Sequence, residues 1–197
     1  MNGPEGAAEL LRGWLETAVP RRLAIIEARL PAGTPPVPRP ALVAAEDRGP
    51  IGIEWWPAIL CLPTITRRMD FVGADDAGEV YRITYAMQVL AWVRGQDHPA
   101  TSLLQRRYAL AIREAILERK SLRPGLPGSF SRPSDATIDP ASIVEDYSAV
   151  TTGEGGATIA GLQVNVDLIV AELVPGPAPI GRADTLSVDT VPHPALS

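Results

Sequence analysis

Residues 80–95, VYRITYAMQVLAWVRG, constrain the fold more than any other stretch of this chain. Tyr81, Ile83, Tyr85, Met87, Val89, Ala91 and Val93 alternate strictly, so an extended strand carries all seven on one face. The other face holds Arg82, Thr84, Gln88 and Arg94 toward the ends, with Leu90 and Trp92 between them. Upstream lies TITRRMDFVG (64–73), and ADDAGE separates the two, a turn composition rich in Asp and Gly. The pair predicts a long antiparallel hairpin. Ahead of it, IGIEWWPAILCL (51–62) is apolar with β-branched and aromatic residues, hence strand-like, and Pro57 argues for an edge position or a bulge.

A second hairpin is predicted from ASIVEDYSAVTT (141–152) through GEGG to ATIAGLQVNVDLIVAEL (157–173). Leu162, Val164, Val166, Leu168 and Val170 face one way, while Gln163, Asn165 and Asp167 face the other. One buried and one wet face is the pattern of an antiparallel sheet covered on one side.

Helical spacing supplies the cover. Residues 7–18 place Leu10, Leu11, Trp14, Leu15 and Ala18 on one face. Pro20 breaks a continuous helix but suits the first turn of a second one, which turns Leu23, Ile26 and Leu30 inward. The expectation is two short helices. PAGTPPVPRP follows with five prolines in ten residues and opens an extended connector over 31–50. A long helix is predicted from about 97 to 119, with Leu104, Tyr108, Ala111, Ile112 and Ala115 buried and Gln105, Arg106, Arg113 and Glu114 pointing elsewhere. SLRPGLPGSFSRPSD (121–135) is a patternless loop of a length that is usually functional or disordered. Beyond Leu173 the chain is Pro-rich and aperiodic, so residues 174–197 are expected to form an extended or disordered arm, and 1–173 a single domain.

Composition narrows the function. The chain is 46% apolar with a net charge of −5, from 18 basic and 23 acidic residues and no dense basic run. Nucleic-acid binding through a clustered basic surface is therefore disfavoured. One cysteine, Cys61, and two histidines do not make a disulfide framework or an ordinary zinc site, and Cys61 reads as a buried small hydrophobe. No apolar run approaches the roughly 18 residues of a membrane helix, and the first residues lack the order of a signal peptide.

The candidate chemistry is sparse. Asp97 before an Ala- and Leu-rich helix is placed as its N-cap, with His98 exposed and Pro99 harmless in the first turn. A catalytic dyad needs a base oriented by a third group, and no motif supplies one. Asp75–Asp76 belongs to a turn, and Glu145–Asp146 to a strand near a loop. GEGGATIAG joins two strands, whereas phosphate cradles open helices. Arg106–Arg107 fits an exposed helix edge, and Trp55–Trp56 one ring in the core with one at an interface. No cofactor or metal is implied.

The succession of paired N-terminal helices, Pro-rich connector, WPAILCLP, YAMQVLAWVRG and LLQRRYALAIREAIL resembles the tail terminator (tail completion) proteins of long-tailed bacteriophages. The resemblance spans roughly residues 7–173 and rests on the order of elements, with no catalytic signature to transfer. It implies an α+β fold: a twisted, mainly antiparallel sheet of about four to five strands, packed by two short N-terminal helices and one long central helix. It also implies a virion protein forming a ring, usually of six copies, at the head-proximal end of the tail tube. Such a ring stops tube polymerisation and offers a docking surface to the head. The implied partners are further copies of itself, the tail tube protein and the head-tail connector or neck proteins. There would be no membrane partner and no sequence-specific nucleic acid, with DNA at most passing through the ring lumen. The location would be the virion tail or neck, and the host cytoplasm during assembly. Carried over by element, the expected contacts are the turn at Asp75 and Asp76, the helix face at Arg106 and Arg113, and the 121–135 loop with Arg123 and Arg132. Two other readings stay open: a head-side neck adaptor of the same virion and, more remotely, a hydrolase using Asp70 with Glu79 or Glu145 with Asp146.

Overall fold

The computed structural model describes residues 3–46, 52–75, 78–119, 121–122, 136–153 and 156–175. Their order is α1 (Pro4–Ala28), β1 (Leu42–Ala44), β2 (Ala58–Asp75), β3 (Gly78–Gly95), α2 (His98–Glu118), β4 (Ser121–Leu122), β5 (Ala136–Tyr147), β6 (Thr151–Thr152) and β7 (Thr158–Pro175). The fold is α+β. Among the described residues one sheet runs β1-β2-β3-β7-β5-β4, with β6 paired to β7 beside β5. The sheet is mixed, because β1 lies parallel to β2 while the other pairs are antiparallel.

The two hairpins anticipated from alternation meet at the centre, where β3 and β7 pair from Gly78↔Pro175 to Gly95↔Thr158 without a register shift. This match aligns Ile83, Tyr85, Met87, Val89, Ala91 and Val93 with Val170, Leu168, Val166, Val164, Leu162 and Ala160 on one buried face. A one-residue slip would turn every one of these side chains to the opposite face, so the apolar pattern specifies the register.

Both helices cover that face. α2 buries Leu104, Tyr108, Ala111, Ile112 and Ala115 as its spacing predicts, and α1 buries Leu11, Leu15, Ala18, Val19, Leu23 and Ile26. Trp14 joins the two: its Nε1–H donates at 2.7 Å to the Ala115 carbonyl. That carbonyl lies in the last turn of α2. Arg21 and Arg22 reach Glu118 at 2.6 and 2.9 Å. No described helix is long and apolar enough to cross a membrane.

Three expectations need correction. The N-terminal helices are one helix of 25 residues, with Pro20 inside it. An internal proline costs about 3 kcal/mol through a lost hydrogen bond and a ring clash. Apolar residues on both sides of Pro20 are fully buried against the same core, and that burial outweighs the local cost at roughly 1.5–3 kcal/mol per large side chain. The extended segment that follows α1 is tied to the core. The Tyr108 hydroxyl donates to the Pro38 carbonyl at 2.8 Å, Val37 is buried, and β1 adds a short parallel strand. The strand anticipated over 51–62 begins only at Ala58, after a 3₁₀ turn at Ile53–Trp55, and continues through 64–73 as one strand. Gln105, expected to point away, is buried: its Nε2–H donates to the carbonyls of Ser148 (3.0 Å) and Gly161 (2.5 Å).

Candidate functional site

β1 pairs with β2 only over Ala58–Leu60, so from Cys61 onward the outer edge of β2 has no strand partner among the described residues. That edge is interrupted by Pro63 and by bulges between Pro63 and Ile65, Thr66 and Arg68, and Phe71 and Gly73. Arg67 and Arg68 lie on it as well. Proline, bulges and charge are the means by which edge strands avoid pairing with another chain. A partner at this edge is therefore met by side chains more than by backbone.

The side chains are there. Register places Met69, Phe71 and Ala74 of β2, Glu79 and Tyr81 of β3, and Glu172 and Val174 of β7 on the helix-side face. α1 begins over this region: Gly3 N–H and the Tyr85 hydroxyl each donate to Glu172 Oε1 at 2.9 Å. Burial, with Glu172 adding to it, pushes the Tyr85 phenol well above its ordinary range. Past the start of α1 the face is open. Met69 is 56% exposed, Phe71 61% and Val174 45%, with Val72 also exposed beside them. Phe71 meets Tyr81 edge to face at 5.7 Å between centroids. The Tyr81 hydroxyl donates to Glu79 at 2.5 Å, a bond that raises its pKa. Single exposed apolar residues are ordinary, but a contiguous group marks a contact surface.

A second uncovered surface is the outer side of α2. Leu103, Leu110 and Leu117 recur every seven residues and so form one line along it. Leu103 is 48% exposed, Leu117 41% and Leu110 half-buried. Arg106 and Arg113 flank the line on one side. Arg113 bonds Glu145 at 3.1 Å, while Arg106 is exposed and makes no ion pair among the described residues. Arg107, on the other side, has a buried Nε with no hydrogen-bond partner among the described residues. Of the other anticipated contact residues, Asp75 ends β2 opposite Gly78. Asp76, Arg123 and Arg132 lie outside the described residues, as do residues 176–197 of the C-terminal arm. Composition-level reading passed over Met69, Phe71 and the three leucines. The seven-residue spacing and the M-D-F alternation were the signals available.

The groups weighed for chemistry are dispersed. Asp97 is the N-cap of α2, its carboxylate accepting from Ala100 N–H at 2.8 Å, and His98 is exposed. Glu145 and Asp146 alternate across the sheet: Glu145 faces Arg113 and accepts from the Tyr147 hydroxyl at 2.6 Å, whereas Asp146 lies opposite Gln163. Asp70 pairs with Arg82 and Glu79 with Ala74, which puts these two carboxylates on opposite faces too. Neither pair converges on one substrate position. Cys61 is fully buried, and that burial pushes its thiol up to about 12. Trp55 is half exposed and Trp56 partly buried, its Nε1 without a partner among the described residues. Between β6 and β7, Gly153 N–H donates to the Ala157 carbonyl and Gly156 N–H to the Gly153 carbonyl. Among the described residues no three His, Cys, Asp or Glu side chains gather at metal-binding distance. A depression of about 230 Å³, lined by Leu90, Trp92, Asp146 and Gln163, lies on the sheet face away from the helices. No protein-family model matches the chain, and no curated protein matches it.

Proposed function

We propose that this protein is an assembly subunit, a ring-forming tail terminator of a long-tailed bacteriophage. The ring caps the head-proximal end of the tail tube, halts its polymerisation and presents a surface to the head and neck. One observation carries the reading: a frame built around a continuous β3–β7 ladder leaves Met69, Phe71 and Val174 largely exposed together at one end of the sheet. A subunit whose work is association needs such a surface, and its free energy comes from desolvating it. The mechanism is then associative. Copies close a ring when the rotation between neighbours closes, and the closed ring covers the growing end of the tube. The sequence of elements is consistent with this role, and the separation of the carboxylate pairs weakens the hydrolase reading.

The test joins light scattering and negative-stain imaging of the full chain with tube assembly. Closed rings, and tube protein that stops elongating when they are added, are the expected results. A chain that stays monomeric and leaves tube growth unchanged overturns the proposal. Rings that bind connector particles but ignore tube ends would move the protein to the head side of the neck.

A further inference from the structure

Resting on the assembly reading, we infer that the two uncovered surfaces are the two halves of one contact between copies of this chain. The shelf at the end of the β2–β3 hairpin receives the leucine line on α2 of a neighbouring copy.

Chemical complementarity is the argument. The shelf is apolar and acidic: Met69, Phe71, Ala74, Tyr81 and Val174 share their face with Glu79 and Glu172, and no cationic side chain of β2, β3 or β7 lies on that face there. Arg68 and Arg82 belong to the opposite face, since Arg68 pairs with Thr84 and Arg82 with Asp70. The leucine line is apolar and basic. Leu103, Leu110 and Leu117 run between Arg106 and Arg113 on one side and Arg107 and Glu114 on the other; Glu145 already pairs with Arg113 at 3.1 Å and Arg22 with Glu114 at 3.6 Å, which leaves Arg106 and Arg107 as the remaining charges of the line. Among the described residues Arg106 has no ion pair and the buried Arg107 Nε no hydrogen-bond partner. Like surfaces brought together would set Arg106 and Arg107 against their own copies, helix to helix, or Glu79 against its own copy, shelf to shelf, which association disfavours. The unlike pairing buries both apolar groups and brings Arg106 to Glu79, the exposed carboxylate of the shelf. A helix on an open sheet face is also the packing this chain already uses for its own core.

The inference makes a demand that a same-surface contact does not. Each copy must offer one half of the contact and accept the other, so the halves are separable by mutation. Phe71→Asp spoils the shelf and leaves the helix intact; Leu103→Asp with Leu117→Asp does the reverse. Both changes fall on exposed positions, and circular dichroism verifies that each chain is folded. Each variant alone is expected to self-associate on the order of 30-fold more weakly or worse, the scale of a central apolar contact residue. Mixed in equal amounts, the two variants are expected to form a discrete pair through the one shelf and one helix that remain intact. Arg106→Glu is expected to weaken association, and Glu79→Arg in the same chain to restore part of it.

Wild-type rings that persist unchanged in both variants would overturn this contact while leaving the ring reading standing. Variants that dissociate but fail to complement each other would replace it with a same-surface contact. A wild-type chain that stays monomeric at every concentration overturns the contact, and the tube-capping assay then decides the ring reading separately.

Discussion

Gln105→Leu tests the least anticipated feature of the fold. Gln105 is 4% exposed, and its amide ties α2 to the place where the chain leaves β5 and to β7. The substitution gives a side chain one atom shorter, of similar bulk, and removes both donors. The Gly161 carbonyl stays satisfied, because Ser148 N–H and the Ser148 hydroxyl each donate to it at 3.0 Å. The Ser148 carbonyl loses the amide, but Ser148 is an exposed residue and water replaces part of that bond. Two bonds at about 1 kcal/mol each, less about 0.8 kcal/mol for the added apolar carbon that leucine buries, leave a net loss of about 1 kcal/mol. For a chain of this size the melting temperature should fall by roughly 2–4 °C. Urea unfolding with an unchanged slope is the assay of choice, since a changed slope would signal an altered end state. Hydrogen exchange at Gly161 N–H, which donates to Ser148 Oγ at 2.6 Å, reads the same junction locally. Gln105→Ala adds a cavity and should cost more than Gln105→Leu. A leucine variant as stable as the wild type, with unchanged exchange at Gly161, would refute the reasoning, for then the buried amide contributes nothing.

Three further outcomes follow from the same structure. Asp97→Ala should cost about 1 kcal/mol by unfolding titration, the ordinary value of a helix cap, and should leave assembly unchanged; a change in assembly would give this pair a role beyond the cap. Cys61 should resist thiol reagents at mild alkaline pH in the folded protein and react fully in urea, because burial holds its thiol near 12; rapid labelling of the native chain would contradict that burial. Stability should decline above about pH 10. Burial raises the Tyr108 and Tyr85 phenols above their usual value of 10, so folding favours the neutral forms. Their contribution is complete below the unfolded value and is lost as pH rises through the folded one. Phenolate absorbance recorded alongside circular dichroism checks this, and ionisation of all four tyrosines near pH 10 with the fold intact would count against it.

What was legible in the sequence is what depends on neighbours along the chain. Alternation from Tyr81 to Val93 and from Leu162 to Val170 marked two strands and their inner faces, because successive side chains in a strand point to opposite sides. Asp97 announced the start of α2, since a cap is a bond between residues three apart. The stripe from Leu104 to Ala115 marked the side of α2 that the sheet covers. Local rules reach that far.

Tertiary structure decided the rest. Pro20 carries a local signal to stop a helix, and it was overridden by burial on both sides of it, which no window of sequence measures. The parallel pairing of β1 with β2 and the adjacency of β3 and β7 join segments tens of residues apart. Gln105 looks like a surface residue until Ser148 and Gly161 arrive to accept its protons. The exposure of Met69, Phe71, Leu103 and Leu117 likewise depends on where α1 begins and where the sheet ends. Periodicity says which residues share a face. Whether that face is covered is a free-energy balance among distant parts of the chain, and it exists only once they have packed.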